Sequence, residues 1–274
     1  MKYYNNNELK LLKERLESDV LFLIVTATDI EQRTVLREMT PLRTESDIIK
    51  AAPDRNTYYI GCLGKYPVVH VRTTDQGAID RDSSIITVGA ALDYWDVSAV
   101  IMVGIAFGCY PKKQSIGDVL ISTSLRNYED VKIRTSDEED RSSNPKSGIV
   151  LLNRFKNISN WDFTLPTGNK PKILYGEILS GEKLVDNKEF REKLAEKYPM
   201  AIGGEMEGYG IYAAAEHHNV REWIVIKAIC DFAENKEENK HTNQQIAADS
   251  ACSCVKSVLS EPVFDSLKKK SKLK

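Results

Sequence analysis

The amino-acid sequence predicts a single α/β domain, a three-layer α/β/α arrangement around a central mixed sheet. Three observations support this prediction. Apolar runs typical of buried strands alternate with helical segments along most of the chain. The run 20–27 is apolar almost throughout, as expected of a strand that is covered on both faces. A Gly64-Lys65 turn between two strand-like runs adds an antiparallel hairpin, which makes the sheet mixed rather than purely parallel.

Strands and helices are expected in alternation along the chain. The predicted strands cover residues 20–27, 57–63, 66–73, 99–103, 117–123, 172–180 and 222–229. The predicted helices cover residues 5–18, 30–39, 83–95, 149–159, 187–198, 209–218 and 242–259. This alternation, without an internal repeat, is typical of one sheet with helices packed against both of its faces.

Local signals support the first elements. Leu9, Leu12 and Leu16 recur at helical spacing, which favours a short first helix that packs on the domain or on a partner. Thr28 stands between the first strand and the second helix, where a side-chain oxygen can cap the helix. Pro41 then ends that helix, because proline cannot donate a backbone hydrogen bond.

Three segments between the regular elements carry separate expectations. The turn 74–77 is expected to lead from the hairpin into a helix. The glycine-rich segment 104–108 follows a buried strand, and its glycines would let the backbone approach a ligand closely. The polar segment 126–148, with the acidic run 137–140, is expected to be a mobile excursion rather than a domain boundary.

Composition and charge exclude several classes of function. The chain has 274 residues, of which 42% are hydrophobic and 28% charged, as in a globular protein with a substantial core. Its net charge of -2 gives no general attraction to nucleic acid or to an anionic membrane. No apolar run reaches the roughly 18 residues of a membrane-spanning helix, and the polar N-terminus lacks the apolar part of a signal peptide. We therefore expect a cytoplasmic protein with no membrane or nucleic-acid partner.

The cysteines and histidines do not indicate a disulfide framework or a metal site. The five cysteines are scattered through apolar segments, as free thiols are, and the four histidines lack ligand spacing. The sequence also contains no nucleophile elbow, P-loop or zinc-protease motif. We expect a reaction that needs neither a metal nor an organic cofactor.

Three carboxylates follow or end apolar strands, namely Glu31, Glu207 and Asp231. In α/β folds the ends of strands are where ligands bind. A pocket with several acids suits the cleavage of a glycosidic bond, which passes through a cationic sugar. One acid protonates the leaving group, a second activates water or stabilises the cation, and a third holds sugar hydroxyls. The alternative is that these acids are surface groups or helix caps.

Five motifs occur in the order that one known family shows. They are Thr-Ala-Thr-Asp-Ile-Glu at 26–31, Val-Gly-Ile-Ala-Phe-Gly at 103–108, Gly-Glu-Ile-Leu-Ser-Gly-Glu-Lys-Leu-Val at 176–185, Glu-Met-Glu at 205–207 and Ala-Ile-Cys-Asp at 228–231. On these residues the chain resembles the nucleoside phosphorylase superfamily, in particular its 5'-methylthioadenosine/S-adenosylhomocysteine nucleosidase-like branch. The resemblance divides the chain into an N-terminal helical extension (1–18), a catalytic domain (19–262) and a basic tail (263–274).

The resemblance implies a role for each acid. Asp231 corresponds to the aspartate that donates a proton to N7 of a purine base, and Glu207 to the glutamate that binds the ribose hydroxyls. Met206 would pack under the sugar. Glu31 is the candidate for activating water in the hydrolytic branch. The expected ligand is a purine nucleoside or nucleotide, and the family habit is a homodimer or a larger homo-oligomer.

The base would be enclosed, by the same resemblance, by Phe107, Leu184 and Val185. The chain departs from the family pattern at two nearby positions. Cys230 replaces a serine before the aspartate, and Ile105 replaces a small hydroxyl residue in the glycine-rich segment. Leu184 also stands where an aromatic residue is usual, which puts the strictest methylthioadenosine specificity in question.

Several mechanisms stay open at the level of sequence. Hydrolysis of the N-glycosidic bond is favoured over phosphorolysis, because the phosphate-binding segment of one phosphorylase branch is missing after the first strand. Arg33, Arg72 and Arg81 are alternative phosphate ligands, for inorganic phosphate or for the 5'-phosphate of a nucleotide. The remaining alternatives are a nucleotide-depleting effector and a nucleoside-binding regulatory module without turnover.

Overall fold

A mixed β-sheet forms the centre of the fold. The computed structural model describes residues 1–73, 77–78, 83–134, 138–234 and 239–268, with the side chain of Glu138 left out. Its strands are β1 (Lys2–Tyr3), β2 (Phe22–Thr26), β3 (Ile49–Ala51), β4 (Tyr58–Leu63), β5 (Tyr66–Arg72), β6 (Ala99–Gly108), β7 (Val119–Asn127), β8 (Val131–Ile133), β9 (Glu138–Asp140), β10 (Ile173–Ser180), β11 (Ala201–Glu205) and β12 (Trp223–Asp231). Its helices are α1 (Asn6–Leu16), α2 (Asp29–Glu38), α3 (Ser84–Tyr94), α4 (Ile149–Lys156), α5 (Lys188–Lys197), α6 (Gly208–His217) and α7 (Lys240–Leu259), followed by a short 3-10 helix (Asp265–Leu267).

Part of the sheet closes on itself. Among the described residues, ten strands pair in the order β1-β3-β4-β5-β2-β6-β11-β10-β7-β12, and β12 also pairs with β6. The strands β6, β11, β10, β7 and β12 therefore form a closed ring, which leaves no unpaired edge in that half. The other half stays open and carries β4 and β5 as the predicted antiparallel hairpin.

Strand β2 shows why helices cover both faces. Because successive side chains in a strand point to opposite sides, Leu23 and Val25 join the apolar cluster that contains residues of α1, α3 and α6. Phe22 and Ile24 join the other cluster, which contains residues of α2, α4 and α7. All four side chains are fully buried. The predicted three-layer α/β/α arrangement with a mixed sheet is thus confirmed.

The glycine-rich segment differs from its prediction. Instead of leaving the sheet after residue 103, the chain continues β6 as far as Gly108. The segment is held there on both sides, because β12 runs parallel to it and β11 pairs with it antiparallel at Gly203 and Gly204. The absence of a side chain at its glycines lets side chains from neighbouring elements pack directly against this strand.

Two short strands in the first part of the chain, β1 and β3, were not predicted, and long-range pairing explains them. Lys2–Tyr3 pairs with Ile49–Ala51, which in turn extends the hairpin at β4. Leu9, Leu12 and Leu16 of α1 are buried in the main core. These contacts join the predicted N-terminal extension to the sheet of the predicted catalytic domain.

The polar excursion 126–148 contains more structure than its composition indicates. Strands β8 and β9 pair into a small antiparallel ribbon, and Arg126 forms an ion pair with Asp140 at 2.6 Å. Residues 135–137 of the excursion lie outside the described part of the chain, as do residues 74–76 of the predicted turn and 269–274 of the basic tail. No helix in the described ranges is long and apolar enough to cross a membrane.

Candidate active site

A cavity of about 240 Å³ opens where β2, β6, β11 and β12 end. The acids and apolar residues that the sequence analysis assigned to the base and the sugar lie far apart in the chain, yet they line one cavity. Its lining includes Glu31, Phe107, Leu184, Val185, Met206, Glu207 and Asp231. This position at the ends of buried strands is the usual ligand site of an α/β fold.

Glu31 is fixed at the start of α2 by three backbone donors. Its Oε2 accepts the N–H groups of Ala27 and Thr28, both at 2.7 Å, and its Oε1 accepts the N–H of Ile105 at 2.8 Å. Thr28 caps the same helix by accepting the N–H of Glu31. A Cβ at Gly104 would overlap the carboxylate, so a larger residue there would displace Glu31 from this position. A carboxylate has about four lone-pair directions, and three donors leave one for a water molecule.

Glu205 closes the turn between β11 and α6. Its Oε2 accepts the N–H groups of Glu207 at 3.0 Å and of Gly208 at 2.8 Å, so it satisfies the first donors of that helix. This explains the Glu-Met-Glu spacing: the first acid supports the turn, and the last one is directed into the cavity. Met206 lies between them on the cavity wall.

A buried lysine, Lys227, lies beside the acids. The sequence analysis did not identify this lysine. The side chain of Lys227 on β12 is 1% exposed, and its Nζ lies 3.2 Å from Glu207 Oε2 and 3.6 Å from Glu205 Oε2. The signal was present, because a lysine inside an otherwise apolar strand is seldom buried without a partner. Lys227 compensates the negative charge that Glu207 brings into the cavity.

The charges in this cluster shift one another's pKa. Burial alone would lower the pKa of Lys227, but the negative charges of Glu207, Glu31 and Glu205 outweigh it and raise that pKa above its ordinary value. Burial raises the pKa of Glu205 to about 6, against the opposing effect of Lys227. Lys227 is therefore charged at neutral pH, whereas Glu205 gains a proton in weak acid.

Glu205 is expected to make stability pH-dependent between about 4.5 and about 6. Because its folded-state pKa is raised, the folded protein binds the proton more tightly than the unfolded chain does. The stabilisation is complete below pH 4.5 and is lost as the pH rises through about 6. Glu205→Gln should flatten this part of the profile in urea denaturation, whereas Glu216→Gln at an exposed position of α6 should not. Parallel profiles for the parent and Glu205→Gln would contradict the assignment.

Asp231 is the last residue of β12, and several contacts stabilise the turn that follows it. Its Oδ1 accepts the N–H of Ala233 at 2.7 Å, and its Oδ2 lies 3.2 Å from Sγ of Cys230, a thiol that can donate to it. Ala233 has a positive φ of 54°, a conformation that is costly for a residue with a Cβ. Buried Arg191 on α5 donates to the carbonyl oxygen of Phe232 at 2.6 Å. The Asp231 carboxylate is thus positioned by its own turn.

Phe107 and Val185 provide the buried apolar part of the cavity. The Phe107 ring lies against Gly204, where any Cβ would overlap it, and both residues pair across β6 and β11. Val185 is buried, whereas Leu184 is 69% exposed at the rim. The cavity therefore offers one buried aromatic ring to a ligand.

The three arginines considered as phosphate ligands lie outside the cavity lining or outside the described residues. Arg33 Nη2 and Arg72 Nη1 each contact Asp29, at 3.2 Å and 3.1 Å. Arg81 belongs to the part of the chain that is not described. No cluster of three or more His, Cys, Asp or Glu residues within the described ranges could hold a metal ion.

Comparisons with known proteins show the family of this chain. Residues 22–260 match the Phosphorylase superfamily. The chain is 30% identical over 250 residues to a death domain-containing ATP nucleosidase of Amphimedon queenslandica, covering 82% of this chain and 46% of that protein. The chain therefore spans about half the length of the curated relative that it matches.

Solved structures share the fold at low sequence identity. A 5'-methylthioadenosine/S-adenosylhomocysteine nucleosidase of Colwellia psychrerythraea in complex with adenine superposes with a TM-score of 0.72 and 19% identity, over 88% of this chain and 95% of that chain. The futalosine hydrolase of Helicobacter pylori gives a TM-score of 0.70 and 17% identity, over 87% and 97%. The predicted family is confirmed by the match over nearly the whole α/β domain: the chain belongs to the Phosphorylase superfamily.

Proposed function

We propose that the protein hydrolyses the N-glycosidic bond of a purine nucleoside or nucleotide and releases the free base. The observation that carries the proposal is the meeting of Asp231, Glu207 and Glu31 in one cavity. The relatives support it, because the matched proteins include an ATP nucleosidase and a methylthioadenosine/adenosylhomocysteine nucleosidase. Both are named as nucleosidases of adenine-containing compounds.

The reaction requires a proton donor beside the base. In the proposed mechanism Asp231 donates its proton to N7 of the purine, and the bond between the base and the sugar breaks with its electron pair moving to the base. The resulting sugar is cationic and is stabilised by nearby carboxylates. Glu207 accepts hydrogen bonds from the ribose hydroxyls, with Met206 under the ring. The turn around Asp231 orients its carboxylate toward the base.

Water completes the reaction from the other side of the sugar. Glu31 accepts a proton from the water as the oxygen bonds to the anomeric carbon, and the products are the base and a sugar with a free hydroxyl. The backbone donors around Glu31 hold the carboxylate at a fixed position, which favours an oriented water over a diffusing one.

The charge inside the cavity favours hydrolysis over phosphorolysis. Phosphorolysis needs cationic donors for phosphate beside the anomeric carbon. Among the described residues, Lys227 is a fully buried cation beside the acids of the cavity, and it is already held by Glu207 and Glu205. The carboxylates there would repel an incoming phosphate anion, whereas they would not repel neutral water. Phosphorolysis stays the alternative mechanism of the same site.

The wider organisation is part of the proposal. We assign catalysis to residues 19–262, with residues 1–18 as an extension and 263–274 as a basic tail. The family resemblance supports a homodimer or larger homo-oligomer in the cytoplasm. Because a curated relative about twice as long as this chain is named a death domain-containing ATP nucleosidase, a role as a nucleotide-depleting effector is proposed as one setting for the activity.

A chromatographic screen for released base tests the proposed function. Adenosine, adenosine phosphates and methylthioadenosine are incubated with the protein, and we expect free adenine from at least one of them. Uridine and the 7-deaza analogue of the best substrate serve as controls, because neither has the purine N7 that Asp231 would protonate. Cleavage of the 7-deaza analogue at the rate of its parent would contradict the assigned proton transfer, and no base release from any substrate would contradict the function.

A further inference from the structure

Arg191 is an almost completely buried cation that joins α5 to the turn after Asp231. Its side chain is 2% exposed. Nη1 donates to the carbonyl oxygen of Phe232 at 2.6 Å and to Oε1 of Glu234 at 3.1 Å. Nη2 donates to Oε1 of Glu192 at 3.4 Å. The guanidinium therefore binds the turn at two points.

Those two points lie on either side of Ala233. This residue is completely buried, and it has a positive φ of 54°, which a residue with a Cβ adopts only at a cost. Its N–H donates to Oδ1 of Asp231 at 2.7 Å. Because Arg191 binds the residues before and after Ala233, it keeps this N–H directed at the carboxylate.

The position of Arg191 is not explained by helix stability or by its own pairing. It is the fourth residue of α5, and a positive charge near the start of a helix opposes the helix dipole. A guanidinium that needed only a counter-charge would bind one carboxylate through two N–H groups. Here Nη1 is shared between a peptide carbonyl and a carboxylate, and Nε has no acceptor among the described residues. The contacts of the guanidinium therefore follow the turn.

The same helix begins beside the wall of the cavity. Val185 lines the cavity, and only two residues separate it from the start of α5. Val185 and Ala233 belong, together with Phe107, to one apolar cluster. Arg191 therefore links the turn after the proposed proton donor to the wall that would enclose the base.

We propose that Arg191 is a positioning residue for the proton donor. It acts through the turn and holds the Asp231 carboxylate at the distance and angle from the base that proton transfer needs. This inference rests on the proposed function, in which Asp231 protonates the base. Arg191 is not among the described residues that line the cavity, so its effect on the reaction passes through the turn. A misplacement of about 1 Å can cost about a hundredfold in rate.

Two substitutions of Arg191 test this role. Arg191→Met removes the donors and keeps a side chain of similar length. It should lower kcat for base release about ten- to hundred-fold with KM nearly unchanged, because a misdirected acid affects the transition state more than substrate binding. Arg191→Lys can reach one acceptor but not both, and should lower kcat about three- to tenfold. Chromatographic rates over a series of substrate concentrations give kcat and KM separately.

A double-mutant cycle with Asp231→Asn separates positioning from general stabilisation of the fold. If Arg191 acts through Asp231, adding Arg191→Met to Asp231→Asn should slow base release by less than about threefold, because the proton transfer is already lost. A residue that only stabilises the fold would cause the same loss in both backgrounds. Thermal unfolding of each variant gives the folded fraction, and rates are compared per folded protein.

The matched control is Arg154→Met. Arg154 on α4 also donates to a peptide carbonyl, that of Val263 at 2.8 Å, but neither residue is among those that line the cavity, so kcat should not change. Unchanged kcat in the folded Arg191 variants, or an equal loss in both backgrounds, would overturn the positioning role and leave the proposed function standing. If Arg191→Met does not fold, Arg191→Lys carries the same cycle. A parent rate in Asp231→Asn, or no base release from the parent protein, would instead contradict the proposed function.

Discussion

Replacing Asp231 with asparagine is expected to slow base release about a hundred- to ten-thousand-fold, the usual contribution of a general acid. Asparagine has nearly the same shape but cannot donate a carboxylic proton to the base. Its side-chain oxygen can still accept the N–H of Ala233, which Oδ1 accepts at 2.7 Å in the parent protein. The turn should therefore persist, and the loss should appear in kcat rather than in binding.

The rate of adenine release, measured by chromatography at saturating substrate, gives the result directly. Thermal unfolding of the variant shows whether the fold is retained. Asp249→Asn is a matched control, because Asp249 is ion-paired with Arg37 on the outer side of α7 and α2. A variant of Asp231 that keeps the parent rate would remove Asp231 from the mechanism, and with it the assignment of the proton donor.

Replacing Lys227 with methionine is expected to lower the free energy of unfolding by about 3–5 kcal/mol near neutral pH, since it leaves buried carboxylates without their counter-charge. Methionine has a similar length and fills the space among the surrounding apolar side chains. The loss thus arises from the charge of Glu207 and Glu205, which stand 3.2 Å and 3.6 Å from the ammonium group.

The loss in free energy of unfolding of the Lys227→Met variant is expected to depend on pH. Lys227 opposes the rise that burial causes in the pKa of Glu205. Without Lys227 the folded-state pKa of Glu205 rises further, so protonation favours the folded variant. Stability from a raised carboxyl pKa is present at low pH and is lost as the pH rises through the folded value. The deficit relative to the parent should therefore be smaller at pH 5 than at pH 8.

Urea denaturation of both proteins at these two pH values tests this prediction. Lys256→Met is the control, because Lys256 makes a half-exposed ion pair with Glu38 at 2.9 Å, and such pairs contribute about 0–1 kcal/mol. An equally large deficit at both pH values would mean that packing around Lys227, rather than charge, accounts for the loss.

The outline of the fold and the main residues of the site were accessible from sequence because both depend on local pattern. The continuous apolar runs at β2 and β6 predicted buried strands, and both are buried. Asp231 and Glu207 were singled out because they stand at strand ends, and the structure places them in one cavity. The family resemblance added Phe107 and Val185, which local pattern alone would have assigned to the core.

The remaining features depend on contacts between distant segments. The closure of β12 onto β6 and β7 is a matter of long-range register that no local pattern encodes. The segment that ends at Gly108 was expected to leave the sheet, because glycines are typical of loops. Its pairing with β11, which keeps it in the sheet, is a long-range contact that the local sequence does not indicate. Lys227 was missed because its partners, Glu205 and Glu207, are about twenty residues away in sequence and meet it only in the folded protein.

The source of the oxygen on the released sugar shows whether the N-glycosidic bond is cleaved by water or by phosphate. The protein is incubated with its best purine substrate in phosphate-free buffer, in water that carries a heavy oxygen isotope, and the sugar product is examined by mass spectrometry. Hydrolysis is expected to give full base release and one labelled oxygen at the anomeric carbon. Base release that requires added phosphate and gives an unlabelled sugar 1-phosphate would contradict hydrolysis.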